Sequence, residues 1–167
     1  HQKGSVLSNH AIFDGGGAGE IGDIVNPRNL VGGETRAREG SAIENTVEMK
    51  SGKVYGDVCG GVLHHGDAAG TLKGNEVTMK DGEVRLGLYG GYCYGKGTAT
   101  LNKVTVEKGT VGNDGLCGAY VNVGVGDAVT ENTVTMKGDT STTHIHGKVV
   151  GGFIESGNGN VKNNHVV

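Results

Sequence analysis

Tryptophan is absent from this sequence of 167 residues, which contains only one proline, two phenylalanines and five tyrosines. So few aromatic side chains leave little material for a compact helical core. The 34 glycines do not fall on every third residue, so a collagen triple helix is excluded. Disorder is disfavoured as well, because valine and threonine are abundant and the net charge is only −3. These features predict an all-β protein.

Charge and hydropathy exclude several kinds of partner. The 15 basic and 18 acidic residues are scattered along the chain, without the clustering of Lys and Arg that neutralises phosphates, so we expect no nucleic-acid partner. No apolar run reaches the ~20 residues of a spanning helix, so we expect no membrane insertion by this segment. The sequence shows no leader with a basic start and an apolar centre, and we expect any targeting or anchoring segment to lie outside it.

Three markers recur in a fixed order along the chain. An apolar pair followed by two small residues begins near residues 30, 58, 88, 116 and 149, at steps of 28, 30, 28 and 33 residues. An asparagine two residues before a valine follows in each unit, at Asn45, Asn75, Asn102, Asn132 and Asn164. Between these two markers, a glycine and a small polar residue lead to alanine or valine, which we interpret as a turn. Units of this size bury a core only by stacking on one another.

Each unit is predicted to form three short strands: one at the Gly-Gly pair, one through the Asn-x-Val-x-Met pattern and one after the next glycine. Alternation places the valine and the methionine on the inward face. The predicted fold is therefore a right-handed parallel β-solenoid with about 30 residues per coil. It forms one continuous domain, in which residues 30–167 are the repeat array. Residues 1–29 are predicted to be a degenerate N-terminal coil with one strand at 6–13 and a flexible turn at 15–19.

The five marker asparagines are predicted to form a structural ladder at one corner, because amide side chains of successive coils can hydrogen-bond to one another. Cys59 and Cys117 occupy the same repeat position two coils apart, with Tyr89 between them. Their expected separation of about 9.6 Å is too long for a disulfide. Together with Cys93, they are predicted to be free, partly buried thiols.

Candidate chemical sites are few. His144 and His146 should share the outward face of a strand and are the candidate metal ligands, although zinc needs a further ligand that the sequence does not supply at that level. The carboxylates occupy turns or outward positions, where we expect solvated side chains, and Lys53 should lie beside Glu83. No acid–base pair is evident, so no enzyme activity, catalytic residue or cofactor is predicted.

Three tyrosines lie near one edge of two neighbouring coils, namely Tyr92, Tyr94 and Tyr120. They form a candidate ligand-contact patch for a sugar or a protein. Packing of the loops is the alternative interpretation of the same cluster.

Four segments resemble the repeats in passenger regions of bacterial autotransporter surface proteins: residues 52–58, 88–92, 97–99 and 132–136. The resemblance covers the chain from about residue 30 onward. It implies a passenger β-helix displayed outside the cell, at the bacterial surface, where it serves in adhesion or as a stalk or fibre. The three cysteines depart from the family pattern, because such passengers usually avoid cysteine.

The sequence therefore predicts a non-enzymatic extracellular adhesin stalk or surface fibre. Its side loops, at residues 62–74 and 138–148, would bind a surface protein or glycan of a host or a bacterium. One alternative is a carbohydrate-active β-helix enzyme or a phage-tail-like glycan-binding module, which requires a cleft with converging carboxylates or a glycan-binding face. Another is a self-assembling filament subunit, which requires end-to-end association of open coils.

Overall fold

The computed structural model describes residues 3–16, 19–64 and 69–167. In these ranges every helix or strand assigned is a β-strand. The strands, in chain order, are β1 (Lys3–Leu7), β2 (His10–Asp14), β3 (Glu20–Ile21), β4 (Leu30–Thr35), β5 (Glu39–Ile43), β6 (Thr46–Ser51), β7 (Lys53–Val54), β8 (Val58–Leu63), β9 (Gly70–Lys73), β10 (Glu76–Met79), β11 (Glu83–Val84), β12 (Gly87–Thr100), β13 (Lys103–Val106), β14 (Gly109–Val111), β15 (Gly115–Thr130), β16 (Thr133–Met136), β17 (Thr143–Ile145), β18 (Val149–Val150), β19 (Phe153–Gly157), β20 (Val161–Lys162) and β21 (His165–Val166).

The strands form three sheets. The first contains β1, β4, β5, β8, β9, β12, β15, β18, β19 and β20, the second β2, β6, β10, β13, β16 and β21, and the third β3, β7, β11, β14 and β17. Strands pair in parallel with the equivalent strand one turn later, so that Val47 pairs with Val77 and Val77 with Val104. The chain is thus a β-solenoid of about 5 turns with about 30 residues per turn, and the predicted fold class is confirmed.

Six successive coils can be numbered along the axis, of which the first and the sixth are incomplete among the described residues: no strand pairs with β4 on the side of the first coil, and the sixth coil has no strand in the third sheet. The first contains β1–β3, the second β4–β7, the third β8–β11, the fourth β12–β14, the fifth β15–β17 and the sixth β18–β21. The first coil pairs with the second in all three sheets, through β1, β2 and β3. The strands at the Gly-Gly marker begin within one residue of the unit starts read from the sequence.

Two local predictions are wrong. The glycine-to-alanine marker forms strands of the first sheet rather than a turn in three units, as part of β5 and at the ends of β12 and β15. In the unit that begins at residue 58, the predicted marker at residues 66–68 lies outside the described residues. The strand predicted at 6–13 is divided at Ser8, where φ is +53°. This left-handed residue turns the chain from the first sheet into the second, because β1 and β2 belong to different sheets.

The interior of the coil is apolar, as the alternation predicts. Val47, Val77, Val104 and Val134 form one inward column of the second sheet and belong to the larger core cluster. Leucines and valines at the start of each Gly-Gly strand face them across the interior. A second interior cluster lies under the Gly-x-Ala strands, around Ala42, Leu72 and Ala99. Met136 pairs in register with the buried Val106 of its own inward column, but it is 38% exposed.

Candidate functional site

The predicted asparagine ladder forms a continuous chain of hydrogen bonds along one corner of the solenoid. The Nδ2 group of Asn45 donates to Asn75 Oδ1 at 2.9 Å, and the same bond links Asn75 to Asn102, Asn102 to Asn132 and Asn132 to Asn164 at 2.8–2.9 Å. Each backbone N–H donates to the same oxygen of the next coil. The ladder satisfies polar groups that the corner would otherwise leave unpaired.

The ladder has one rung that the sequence analysis missed. Asn9 donates from Nδ2 to Asn45 Oδ1 at 2.8 Å. Its neighbour two residues later is Ala11 rather than valine, and that substitution hid it from the Asn-x-Val search. A pattern that accepted any small apolar residue would have found it.

The outward side of the Gly-Gly strands carries a separate apolar cluster, which we call the outer strip. It consists of two columns, Val31, Cys59, Tyr89, Cys117 and Val150, and Val62, Tyr92, Tyr120 and Phe153. The preceding residue in each strand, such as Leu88, lies in the interior core. Since side chains alternate along a strand, the outer strip faces away from that core.

Five aromatic rings follow one another in what we call the aromatic row; Tyr92, Tyr120 and Phe153 belong to the outer strip, and His64 and Tyr94 lie beside it. Ring centroids lie 4.9 Å apart between His64 and Tyr94, 4.5 Å between Tyr94 and Tyr92, 4.7 Å between Tyr92 and Tyr120, and 5.6 Å between Tyr120 and Phe153. The structure therefore brings together all three tyrosines of the predicted patch and adds His64 and Phe153. The repeat alignment could have identified Phe153, since it follows its Gly-Gly pair as Tyr92 does.

Stacking determines which parts of the aromatic row a ligand can reach. Tyr92 and Tyr120 are nearly parallel, at 21°, as are Tyr120 and Phe153, at 22°. Their faces therefore cover one another, and mainly edges and hydroxyl groups remain. Tyr94 is the most accessible tyrosine of the row, at 43% exposed.

Two cavities open on the outer strip. The cavity nearer the C-terminal coils, which we call the upper recess, has a volume of about 270 Å³. It is lined by Cys117, Tyr120, Val150 and Phe153, with Asp114, Lys148 and Glu155 at its rim. The cavity nearer the N-terminal coils, which we call the lower recess, has a volume of about 320 Å³. It is lined by Val31, Cys59 and Val62, with Arg28, Glu34 and Arg36 at its rim. Apolar floors with a few polar groups around them are typical of binding surfaces.

The rims of the recesses hold their charges in defined contacts. At the upper recess, Lys148 Nζ lies 4.5 Å from the centroid of the Phe153 ring, and the Tyr120 hydroxyl donates to Glu155 at 3.4 Å. At the lower recess, Glu34 accepts from Arg36 Nε at 3.0 Å and lies 3.0 Å from His64 Nε2. The upper rim carries two acidic groups and one basic group, whereas the lower rim carries two arginines and one glutamate.

The three cysteines are free, as predicted, but fully rather than partly buried. Tyr89 pairs with Cys59 on one side and Cys117 on the other, which confirms the predicted column. Burial raises the pKa of the Cys117 thiol to about 12 and raises that of Cys59 as well. Cys93 lies in the interior, packed with Ala99 and Leu72. Neutral buried thiols are poor nucleophiles.

Asp57 departs from the expectation that carboxylates are solvated. It sits at the corner before β8, where its Oδ1 accepts a hydrogen bond from the Gly87 N–H at 3.1 Å. Burial raises its pKa to about 6, and the charge of Asp114 adds to the shift. Other carboxylates do lie at the surface, and Lys53 is 2.8 Å from Glu83 as predicted.

The two candidate metal ligands, His144 and His146, are both exposed. Among the residues that the structure describes, no group of three His, Cys, Asp or Glu side chains could hold a metal ion. Of the predicted binding loops, residues 138–148 are fully described. Residues 65–68 of the other loop, which include His65, lie outside the described residues.

The sequence matches no protein-family model, and no curated protein or solved structure matches it. In the described part of the chain, no helix has the length and apolar character needed to cross a bilayer.

Proposed function

We propose that this chain is a non-enzymatic segment of an extracellular stalk or surface fibre, and that the outer strip is its adhesive surface for a protein or glycan partner. The observation that carries the proposal is the difference between the outer faces of the three sheets. On the second sheet, Lys80 lies 2.7 Å from Glu48, and on the third, Lys53 pairs with Glu83. Among the described residues, it is the first sheet that presents an apolar cluster on its outward side, and two recesses open on that cluster. Such patches mark interaction sites.

The stalk part of the proposal rests on the uniform stacking of the coils. Parallel pairing in three sheets and a continuous asparagine ladder connect each coil to the next, which gives a stiff, extendable unit. The resemblance to autotransporter passengers supports display at a bacterial cell surface. In that setting, specificity would come from the outer strip and the two recesses on it.

The geometry of the aromatic row bears on the kind of partner. A glycan usually stacks its rings on free aromatic faces, but most faces in this row are covered by neighbouring rings. The recesses, in contrast, are open to side chains or substituents of a partner. They therefore support binding by insertion into the recesses more than binding by stacking on the row.

Matched arginine substitutions test the adhesive surface. Val150→Arg places a large charged side chain in the upper recess, whereas Thr110→Arg adds the same charge on the outer face of the third sheet, where Thr110 pairs with Glu83. Binding would be measured on arrays of glycans and of extracellular matrix proteins, and the shape of the particles by electron microscopy.

We expect thin rods and a ligand whose affinity falls at least tenfold with Val150→Arg and is unchanged with Thr110→Arg. Equal binding by both variants would contradict the assignment of the outer strip. Cleavage of an array glycan by the purified protein would contradict the non-enzymatic part of the proposal.

A further inference from the structure

We propose that the outer strip docks a second copy of this chain, in an antiparallel dimer with twofold symmetry. The inference rests on the proposed function, because it names the partner of the same adhesive surface. Three features carry it: a rigid apolar knob near one end of the strip, a recess that fits it near the other end, and opposite charges around the two.

The knob is the turn at residues 22–27, between β3 and β4. Ile24 and Val25 lie at its tip and are 68% and 79% exposed. The carboxylate of Asp23 accepts hydrogen bonds from the backbone N–H groups of Val25 and Asn26, both at 2.7 Å, and Gly22 pairs with Pro27 across the base. Two adjacent branched aliphatic side chains are thus held in water by a turn that is already ordered, so that docking costs little conformational entropy.

The upper recess has the chemistry to receive the knob. Its floor consists of Cys117 and Val150, its wall is aromatic, and its volume of about 270 Å³ is that of a small side-chain pocket. Burial of the two aliphatic side chains there would remove from water the most exposed pair of adjacent apolar residues among the described residues. A polar or charged tip would gain nothing from such a floor.

Charge selects the orientation of the two copies. Arg28 follows the knob and lines the lower recess together with Arg36, while Asp114 and Glu155 line the upper recess. A parallel arrangement would place rims of like charge together. An antiparallel arrangement brings each basic rim to an acidic rim, which favours that pairing over the alternative.

The positions along the axis satisfy twofold symmetry. The knob lies between the first and second coils, and the upper recess spans the fourth to sixth coils, with its floor at Cys117 and Val150 of the fifth and sixth. A twofold axis in the interface, between the third and fourth coils, exchanges these levels and brings Arg28 of one copy to Asp114 of the other. His64 and Tyr94 belong to the third and fourth coils, so the exposed ring of Tyr94 would lie at the centre of the interface. The knob of each copy then fills the upper recess of the other, which gives one closed, isologous interface.

Sedimentation equilibrium over a range of protein concentrations tests the proposal. We expect a monomer–dimer equilibrium that the double substitution Ile24→Ser with Val25→Ser weakens at least tenfold. The control is Ile12→Ser, which removes an aliphatic side chain that is 53% exposed on the second sheet. It should leave the dissociation constant unchanged.

Charge exchange gives the sharper test. Arg28→Glu and Asp114→Arg should each weaken the dimer at least tenfold, because each places like charges together. The protein with both substitutions should recover most of the lost affinity, since the pair is restored with reversed sign. Both positions are exposed, so neither substitution removes a core contact.

The outcomes separate the inference from the proposed function. A protein that stays monomeric yet loses array binding with Val150→Arg would overturn the dimer and support the adhesive surface. A monomer without any array ligand would overturn both. A dimer whose dissociation constant is unchanged by the knob and charge substitutions would overturn the antiparallel arrangement. Oligomers that grow without limit, as end-to-end stacking predicts, would overturn it as well.

Discussion

At the scale of single residues, the corner between the first and second sheets depends on two adjacent positions. The first has a left-handed backbone with φ between +52° and +62°, at Ser8, Glu44, Gly74, Leu101, Glu131 and Asn163. Only one of these six is glycine, although the left-handed conformation costs other residues about 1 kcal/mol or more each. The second position is the ladder asparagine, whose hydrogen bonds to the next coil offset that cost.

Removal of one rung should therefore be expensive. Asn102 is fully buried, accepts two hydrogen bonds from Asn75 and donates to Asn132 and the Leu72 carbonyl. Asn102→Ala leaves buried donors unpaired and should lower the free energy of unfolding by about 3 kcal/mol or more in urea denaturation. Asn158→Ala, at an exposed position, is the control and should change it by less than about 0.5 kcal/mol. Equal effects of the two would contradict a stabilising ladder.

The raised pKa of Asp57 predicts a pH dependence of stability. Its pKa of about 6 lies above the ordinary value of 3.8, so the folded state holds the proton more tightly than the unfolded state does. The contribution of Asp57 to the stability of the protein therefore falls as pH rises between these values. The free energy of unfolding of the Asp57→Asn variant, relative to that of the wild type, should rise by roughly 1 to 3 kcal/mol from acidic to neutral pH.

A second aspartate provides a control of opposite sign for that experiment. The bond from Lys162 lowers the pKa of Asp127, so Asp127 contributes stability that is present at neutral pH and lost in acid. Asp127→Asn should therefore lose stability relative to wild type as pH rises. Parallel pH profiles for the two variants, measured by urea denaturation, would refute the role assigned to Asp57.

At the scale of strands, glycines determine how closely the first sheet approaches the second. The inward column Gly32, Gly60, Gly90, Gly118 and Gly151 is glycine in each of the second to sixth coils. A Cβ at Gly90 would lie 2.5 Å from the Gly118 carbonyl oxygen and 2.7 Å from the Lys103 nitrogen. Both are backbone atoms of paired strands, so neither can move without disturbing a sheet.

Adjacent glycines should therefore respond differently to alanine. Gly90→Ala should lower the free energy of unfolding by about 2 kcal/mol or more, because the backbone must shift. Gly91→Ala should cost less than about 1 kcal/mol, since its Cβ would lie 3.2 Å from Asn102 and Leu72 and the next coil carries Ala119 at that position. Thermal denaturation of both proteins checks the difference, and a reversed order would contradict the close approach.

At the scale of the whole molecule, each coil contacts only its neighbours, so stability varies along the axis. Inward residues of the central strands β10 and β13 are buried, whereas both residues of β20 and of β21 are exposed. We expect backbone amides of the third to fifth coils to exchange with deuterium most slowly, and those of the sixth coil fastest. Uniform exchange along the chain would instead indicate that the coils unfold as a single cooperative unit.

The sequence by itself determined the features that repeat from coil to coil. The solenoid, the inward valines, five of the six ladder asparagines and the column of Cys59, Tyr89 and Cys117 were all predictable. The reason is physical: parallel coils in register place equivalent residues beside one another, so a repeated pattern is already a contact. Lys53 and Glu83 were predictable for the same reason.

Only the tertiary structure decided the features that depend on unlike positions. The stacking of His64 on Tyr94, the burial of Asp57 and the two recesses each join residues from different columns or corners. Their contacts depend on how sharply each corner bends and on which side chain leans over a neighbouring column. No single repeat encodes those angles, since they arise only when three sheets close around one core.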